Sequence, residues 1–304
     1  MNARLIVNPR AGRWTPGSWL DEAVDLLRVA GWSITRTDTG KPGQASELAR
    51  QAAVAGYEAV IAAGGDGTLN EVINGVVGTP IAVGFLPIGT MNVWAREVGI
   101  PLPNIWQHLR GAARTLLEGE VRAIDVGRAG ARYFILSAGV GLDAHVAAQA
   151  ADSPDWARVV QPLEFVPPAV ASALTFHGER LTITIDGTEV HREALQVLIA
   201  NTALYTGFVR IATAARLDDG LLDVCIFGGR GLPSTLRHST QVLLGIHQGD
   251  PAFEYYQGRR IEVSLVSGPD RPGWPVHVDA EPCGHTPMAF ECVPGGVRMI
   301  MPRP

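Results

Sequence analysis

Glycines and polar residues gather at three places where an apolar run of the sequence ends. Glycine lets a backbone approach a ligand closely, and a helix that starts behind such a corner attracts anions. Three corners of this kind indicate a ligand that carries phosphate. The corners are Asn8-Pro9-Arg10-Ala11-Gly12, Gly64-Gly65-Asp66-Gly67-Thr68 and Pro87-Ile88-Gly89-Thr90-Met91-Asn92.

Asp66 lies in the middle of the second corner, where a carboxylate would repel phosphate. Phosphoryl transfer removes the conflict, because Mg²⁺ neutralises phosphate oxygens and the acceptor is an alcohol. The pattern therefore favours a kinase in which Asp66 helps to organise the metal and the phosphates. The structural alternative is a cap for the helix that runs through Leu69, and the two roles are compatible.

Lys41 is the only lysine in the chain, and it stands in Gly-Lys-Pro. The sequence therefore has neither the Gly-Lys-Ser/Thr of a P-loop nor the strand lysine of protein kinases. Arg10, Arg13 and Arg96 are candidates to replace that lysine. Residues 139–144 fit the dinucleotide fingerprint G-x-G-x-x-G/A, but no clear βαβ unit follows them, so redox chemistry is a weaker alternative.

The first part of the chain, residues 4–121, alternates short apolar runs with helical periodicity. Strands are predicted at 5–7, 33–37, 59–63 and 81–86, and helices at 18–30, at 44–55, through Leu69, Val72, Ile73 and Val76, and from about Thr90. This alternation predicts an α/β domain with a doubly wound parallel sheet. The three corners would then lie together at the carboxyl ends of the strands, where such sheets bind ligands.

The second part of the chain is mainly β in its pattern. Strands are predicted at 132–137, 181–185, 195–200, 221–227, 260–266, 276–279 and 288–293, with helices at 143–150 and 234–244. Asp186-Gly187 between two of these strands indicates a hairpin. We expect a sandwich or open barrel, and a division into residues 1–122, 123–296 and 297–304. The last segment is a strand that could return to either domain.

Composition narrows the functional classes. The 304 residues are 46% hydrophobic and 18% charged, and the net charge of −5 gives no basic field for nucleic acid. Cys225, Cys283 and Cys292 form no close pair, which suits a reducing cytosol. The first residues lack a signal peptide's pattern, and no apolar run reaches the ~18 residues of a membrane span. A cytoplasmic protein is expected, with contact at a membrane surface left open.

The segment GGDGTLNEV, with NPRAG before it and LPIGTMNVWAREVGIP after it, resembles the diacylglycerol kinase catalytic family. That family includes sphingosine kinases and bacterial soluble lipid kinases. The resemblance continues through VRAIDVG, FILSAGVGLDA, VLIANTALYTGFVRIATAARLDDGLLDV and PVHVDAEPCGHTP, and so covers nearly the whole chain. GGDGT is shared with NAD kinases and phosphofructokinases, whereas GTMNVWAREVGIP and ARLDDGLLDV are more specific to the lipid kinases.

The resemblance implies a nucleotide cleft between the α/β domain and a β-sandwich-like domain, with ATP and Mg²⁺ as cofactors. It places Mg²⁺ on the Asp219 carboxylate and the backbone carbonyls of Arg216 and Leu221. From the residues alone, 217–221 is more typical of a turn between strands. The resemblance implies ATP contacts from Asn8, Pro9, Arg10, Ala11, Gly12, Thr39, Gly64, Gly65, Asp66, Gly67, Thr68, Leu69, Asn70, Gly89, Thr90 and Asn92.

Asp279-Ala280-Glu281 matches the DGE element that carries the family's general base. A lipid hydroxyl needs a carboxylate within hydrogen-bonding reach. Of the two carboxylates, Glu281 is the favoured base and Asp279 is second. A solvated pair on a hairpin is the structural alternative. The sequence departs from the family pattern at Val93, Ala280 and Leu136, where relatives often carry aspartate, glycine and asparagine.

These residues predict an ATP-dependent kinase of a lipid hydroxyl, of the diacylglycerol, phosphatidylglycerol or sphingoid type, acting at a membrane surface. A kinase of a soluble alcohol such as NAD and a nucleotide-binding protein without turnover are the alternatives. The apolar residues 163–176 are expected either to line an acyl-chain pocket, to touch the membrane, or to pack in the core. A homodimer is also compatible with the sequence.

Overall fold

The structure, a computed structural model, describes residues 1–11, 17–151, 176–266 and 273–303. The chain forms two compact units, Met1–Asp125 with Gly295–Pro304, and Val126–Pro294. Gly12, Arg13 and residues 163–175 of the predicted segments lie outside the described residues.

The first unit alternates strands with helices, as its sequence pattern predicts. In chain order its elements are β1 (Asn2–Val7), α1 (Gly17–Val29), β2 (Ser33–Asp38), α2 (Gln44–Val54), β3 (Ala59–Gly64), α3 (Asp66–Val76), β4 (Ala82–Pro87), α4 (Val93–Val98) and α5 (Arg110–Glu118). Two further strands, β5 (Glu120–Ala129) and β17 (Met288–Met301), contribute residues to both units.

The strands of the first unit form a parallel sheet in the order β2-β1-β3-β4. The end of β17 joins it, with Arg298 and Met299 parallel to Ala82 and Val83. Every residue of β3 and β4 is buried, which is typical of parallel strands with helices on both faces. Helix α1 packs against α5, and α2 packs against α3. The predicted doubly wound parallel sheet is thereby confirmed.

The second unit is built from antiparallel strands. Its elements are β6 (Arg132–Phe134), β7 (Ser137–Gly141), α6 (Leu142–Ala151), β8 (Glu179–Ile185), β9 (Thr188–Ala200), β10 (Leu204–Tyr205), β11 (Val209–Arg210), β12 (Leu222–Gly228), α7 (Gly231–Leu244), β13 (Phe253–Gly258), β14 (Arg260–Leu265), β15 (Pro275–Val278) and β16 (Glu281–His285).

Strand β9 organises this second unit because it has three partners. Its first half pairs with β8, and its second half lies between β7 and β12. Alternate residues of these strands point into one apolar core that includes Phe134, Ile183, Val197, Val224 and Phe290. The hairpin predicted at Asp186-Gly187 is confirmed, since both residues have positive φ and connect β8 to β9.

Several predicted strands differ from the observed ones. The strand predicted at 132–137 is two strands, because residues 135 and 136 leave the ladder between β6 and β7. The strand predicted at 276–279 ends at Val278, because Asp279 and Ala280 both adopt left-handed backbone angles. The strand predicted at 288–293 and the terminal strand predicted in segment 297–304 are one continuous strand, β17.

Candidate active site

The second and third glycine corners touch each other at the carboxyl ends of β3 and β4. The carbonyl of Gly64 accepts the N–H groups of Ile88 and Gly89, each at 3.0 Å. A Cβ atom built on Gly89 would lie 2.4 Å from Cα of Gly65. A side chain at position 89 would collide with the facing backbone, which explains the glycine there, whereas a Cβ on Gly65 would lie 3.5 Å from Cα of Gly89, an ordinary contact.

The first corner is joined to the second through Asn8. Its Nδ2 donates to Oγ1 of Thr68 at 3.1 Å, and its Oδ1 accepts the N–H of Arg10 at 3.0 Å. A Cβ on Gly64 would lie 2.4 Å from Oγ1 of Thr68, so glycine leaves room for this contact. The described parts of the three corners therefore form one connected surface, as the parallel sheet predicted.

The N-terminus of α3 lies at this surface. Gly65 is the N-cap residue, and no side chain caps the first turn of this 11-residue helix. The first N–H groups of a helix lack partners within the helix, and the helix dipole adds partial positive charge there. This helix N-terminus lies where the sequence predicts a phosphate site, which stays a prediction.

Asp66 caps a helix, but not the one in which it lies. Its Oδ2 accepts the N–H of Val93 at 2.9 Å, and its Oδ1 accepts the N–H of Trp94 at 3.0 Å. These are the first two residues of α4. Burial raises the pKa of Asp66, although both N–H groups and the charge of Arg96 act to lower it. Each carboxylate oxygen has a second lone pair, so capping leaves room for another contact.

Asn92 holds the third corner in shape. It has a φ of 47°, is 2% exposed, and donates from Nδ2 to the carbonyl of Gly89 at 2.8 Å. Its Oδ1 is buried without a hydrogen-bond partner. Arg96 supports the same loop by donating from Nε to the carbonyl of Met91 at 2.9 Å. Thr90 is exposed at the tip of this loop.

The other predicted nucleotide contacts differ in exposure. Arg10 is exposed, whereas Thr39 is half-buried and donates its N–H to the carbonyl of Val7 at 2.8 Å. Leu69 is fully buried in the core, so only its backbone is available to a ligand. Asn70 is 2% exposed, and its Oδ1 accepts Nδ2 of Asn74 at 3.1 Å.

In the second unit, the predicted metal ligands lie in a tight loop before β12. The Asp219 Oδ1 accepts the N–H of Leu221 at 3.0 Å, and Gly220 between them has a φ of 75°. Burial raises the pKa of the neighbouring Asp223, and the charge of Asp219 raises it further. Within the described residues, no group of three or more His, Cys, Asp or Glu side chains is placed to hold a metal. The predicted set has one carboxylate and two backbone carbonyls, which are oxygen donors of the kind Mg²⁺ takes.

The predicted catalytic carboxylates lie at a hairpin turn, so the strand predicted through Asp279 ends one residue earlier. Asp279 and Ala280, with φ values of 46° and 66°, form the two-residue turn between β15 and β16. The Asp279 carboxylate accepts the N–H groups of Ile135, Leu136 and Ser137, each at 3.0 Å. Glu281 is exposed, and its Oε2 accepts Nη2 of Arg132 at 2.7 Å.

The sequence did not point to a buried polar group beside this turn. Nε2 of His277 donates to Oδ2 of Asp143 at 2.6 Å, and the Tyr205 hydroxyl donates to Oδ1 of the same carboxylate. The Ala280 N–H donates to Nδ1 of His277 at 3.2 Å. His277 is 3% exposed. This set, Tyr205–Asp143–His277, is called the buried triad below.

Electrostatics within the buried triad favour the charged carboxylate. Burial alone would raise the pKa of Asp143, but the charge of His277 and the hydrogen bonds from His277 and Tyr205 lower it. Burial alone would lower the pKa of His277, and the charge of Asp143 reverses the direction and raises it. Burial and Asp143 together raise the pKa of Tyr205 well above 10.

The first glycine of the fingerprint at residues 139–144 is explained by this triad. A Cβ on Gly139 would lie 2.3 Å from Nε2 of His277 and 2.7 Å from Oδ2 of Asp143. Strand β7 is antiparallel to both of its neighbours, β9 and β15, so the motif does not open a βαβ unit. The glycine signal could have revealed a close packing site, but not which side chains fill it.

Comparison with known proteins gives matches along both units. The family model of the diacylglycerol kinase catalytic domain matches residues 2–129, and that of the YegS C-terminal NAD kinase beta sandwich-like domain matches residues 136–301. A diacylglycerol kinase of Bacillus subtilis (strain 168) is 29% identical over 306 residues, which cover 99% of this chain and 96% of that protein. One from Staphylococcus aureus (strain bovine RF122 / ET3-1) is 30% identical over 291 residues, covering 95% and 88%.

Solved structures show the same fold. The crystal structure of a diacylglycerol kinase from Bacillus anthracis str. Sterne has a TM-score of 0.72 at 21% identity, covering 99% of this chain and 96% of that one. A second crystal structure from that strain has a TM-score of 0.79 at 22% identity, and the match covers 99% of this chain and 95% of that one.

The matches define the class of protein first: the chain is a kinase that transfers phosphate to an alcohol acceptor. It belongs to the diacylglycerol kinase family, the lipid kinases that the sequence motifs resemble. The expected β-sandwich-like second domain is likewise confirmed. Within the described residues, no helix combines the length and the apolar character needed to cross a bilayer.

Proposed function

We propose that the protein uses ATP to phosphorylate the hydroxyl group of a membrane lipid, with diacylglycerol as the first candidate. The observation that carries the proposal is the match of the chain, over nearly its full length, to proteins named diacylglycerol kinase. Phosphatidylglycerol and sphingoid bases carry the same kind of acceptor hydroxyl and remain candidates. The kinase family implies ATP as the phosphate donor.

The connected glycine corners support phosphate binding by the first unit. The corners of Gly65 and Gly89 touch, and the N-terminus of α3 has no side-chain cap. Backbone N–H groups at this surface would stabilise the charge that develops on the phosphate oxygens during transfer. Arg10, exposed beside the same surface, is the candidate cation in place of a P-loop lysine.

The oxygen donors of the loop before β12 fit a magnesium ion. The Asp219 carboxylate and the carbonyls of Arg216 and Leu221 would hold it. When bound, Mg²⁺ would neutralise part of the phosphate charge. The Asx-type bond from the Leu221 N–H to Oδ1 of Asp219 holds the carboxylate in the loop and leaves Oδ2 for the ion.

Glu281 is the better placed of the two candidate bases. Asp279 already accepts three backbone N–H groups, which commits its oxygens to the turn and opposes protonation. Glu281 is exposed and is oriented by Arg132. In the proposed step, the lipid oxygen forms a bond to the γ-phosphorus of ATP, its proton passes to Glu281, and the bond to the bridging oxygen of ADP breaks.

An apolar surface on α7 supports contact with a membrane. Large apolar side chains are exposed on this helix and just beyond its end, namely Leu236, Leu243, Leu244 and Ile246, which we call the α7 surface, with exposed fractions of 57%, 76%, 66% and 58%. The sequence contains no Asp or Glu from Gly229 to Gly249, so no carboxylate in this stretch opposes anionic lipid. A helix with such a face can rest in the headgroup region of a bilayer without spanning it.

The test is transfer of labelled phosphate from ATP. We would incubate the purified protein with labelled Mg-ATP and, separately, diacylglycerol, phosphatidylglycerol, a sphingoid base, a total lipid extract and NAD. Label in the lipid phase is expected, and Glu281→Gln should remove most of it. Label in NAD without lipid would favour a kinase of a soluble alcohol. ATP binding with no transfer to any acceptor would favour a nucleotide-binding protein without turnover.

A further inference from the structure

The buried triad connects three separate parts of the second unit. Asp143 lies in the first turn of α6, Tyr205 ends β10, and His277 lies in β15. The Ala280 N–H extends the chain of contacts to the Asp279–Ala280 turn. The hydrogen bonds therefore run from a tyrosine hydroxyl to the backbone of a turn that contains Asp279 and directly precedes Glu281.

Stability alone does not account for a polar group at this place. His277 lies between Val276 and Val278, which belong to the apolar core, and Asp143 is only 14% exposed. A buried carboxylate is often no more stabilising than an apolar residue of similar volume, because the charge loses its hydration. Position 139 must also be glycine, because a Cβ atom there would clash with the His277 and Asp143 side chains. A functional role would explain why polar residues occupy this position despite their unfavourable burial.

The hydrogen-bond directions specify what the triad does to the turn. Nε2 of His277 carries the proton that Asp143 accepts, so Nδ1 is left as an acceptor. The Ala280 N–H, one residue before Glu281, donates to that nitrogen. Tyr205 fixes the other oxygen of Asp143. The imidazole is therefore held from one side, and its remaining nitrogen holds the turn.

We propose that Tyr205, Asp143 and His277 form a positioning network that fixes the Asp279–Ala280 turn and thereby sets the place of Glu281 during phosphate transfer. The inference rests on the proposed role of Glu281 as proton acceptor. The triad acts through the backbone of the turn and touches neither substrate nor nucleotide in this account. Its members are positioning residues.

Two substitutions at His277 separate its two contacts. In His277→Asn, the amide oxygen lies near the place of Nδ1 and can accept the Ala280 N–H, but the contact to Asp143 is lost. In His277→Gln, the amide nitrogen reaches the place of Nε2 and can donate to Asp143, but the turn loses its anchor. A misplacement of about 1 Å costs on the order of 100-fold in rate. We therefore expect kcat in His277→Gln to fall about 10- to 100-fold, with the KM for ATP within about twofold of wild type.

The Asn variant should retain a kcat about tenfold above that of the Gln variant. Ile183→Val and Ile183→Ala are matched controls, because Ile183 is fully buried in the same core and makes no contact in the triad. They should lower the melting temperature without this selective loss of kcat. Equal kcat in the two His277 variants, or a kcat that simply follows melting temperature through all four variants, would overturn the proposal.

Amide hydrogen exchange at Ala280 tests the network without any need for activity. Protection is expected in wild type and in His277→Asn, with exchange about tenfold faster in His277→Gln. Equal protection in both variants would show that His277 does not hold the turn. A wild-type protein that labels no lipid would instead overturn the proposed function, while the exchange pattern would still decide whether the triad fixes the turn.

Discussion

At the scale of single residues, the Asp66 carboxylate has an observed structural role as a helix cap and a predicted role beside phosphate. It lies at a surface suited to phosphate, yet both its oxygens accept N–H groups at the start of α4. The second and third corners are therefore joined by hydrogen bonds as well as by the contact of Gly65 with Gly89. Asp66 positions the loop of Thr90 and Asn92, whether or not it also contacts the metal.

Asp66→Ala should lower both stability and activity. Loss of a helix cap with two charge-assisted bonds is expected to reduce the free energy of unfolding by about 1–2 kcal/mol. Phosphate transfer should fall more than this loss explains, because the third corner would shift. Urea unfolding and the labelled-ATP assay measure the two effects.

Asp25→Ala is a suitable control for that experiment. Asp25 is 69% exposed and pairs with Arg28 on the surface of α1, so its removal should change stability by less than about 0.5 kcal/mol. If Asp66→Ala is as stable as Asp25→Ala, the cap contributes nothing measurable. Full activity in Asp66→Ala would remove Asp66 from the chemistry.

Residue types predicted the corners, but not the partners of their side chains. Glycine and Asn8 are recognisable because loops that bind phosphate need small residues and donors. The partner of Asp66 lies 27 residues away, and the partner of His277 lies 134 residues away. Such contacts depend on how elements pack, and a single sequence contains no local signal for them.

At the scale of elements, the turn between β15 and β16 carries the largest correction. A two-residue hairpin turn with two left-handed residues usually has the sequence Asn-Gly or Asp-Gly. Here Ala280 replaces the glycine, so the usual sequence signal of the turn is missing. The strand was therefore predicted to run through Asp279, with a hairpin at the acidic pair as the structural alternative. The same turn brings Asp279 to the N–H groups between β6 and β7, which explains the break in the predicted strand 132–137.

Ala280→Gly should stabilise the protein. A left-handed alanine is strained by about 1 kcal/mol, part of which is offset by the greater freedom of glycine in the unfolded chain. We expect a gain of about 0.5 kcal/mol in urea unfolding. Ala53→Gly, within α2, should instead cost about 1 kcal/mol. A loss of stability in both variants would contradict the strain assigned to Ala280.

The loop before β12 predicts a specific response to magnesium. Added Mg²⁺ should raise the melting temperature of wild type, and Asp219→Ala should remove that rise because its carboxylate is the charged ligand. Asp218→Ala, at the exposed neighbouring position, should keep it. A rise in Asp219→Ala equal to that of wild type would place the metal elsewhere.

At the scale of the whole molecule, the alternation of strands and helices was enough to predict the α/β fold of the first unit. The density of strand-like segments was enough to predict that the second unit is mainly β. Short strands were missed, such as β10 and β11 with two residues each, because two residues carry no readable period. The predicted cleft and the homodimer stay predictions. Each unit is matched by its own family model, so the lipid kinase class is established for the chain as a whole.

Membrane contact through α7 can be tested with vesicles. Leu243→Glu combined with Leu244→Glu should weaken sedimentation with anionic phospholipid vesicles and raise the KM for diacylglycerol in a bilayer. The double substitution should have little effect on the rate at which a short-chain diacylglycerol in solution is phosphorylated. Val29→Glu, an exposed apolar position on α1, is the control. Equal sedimentation of all three proteins would show that α7 is not the contact surface.

The most direct test of the central claim is the fate of the γ-phosphate of labelled ATP when the purified protein meets diacylglycerol in mixed micelles. The account predicts label in the phosphorylated lipid, none in NAD, and a fall of about 10²- to 10⁴-fold in kcat for Glu281→Gln. Label that stays in ATP with every lipid acceptor, or a Glu281→Gln variant as fast as wild type, would contradict it.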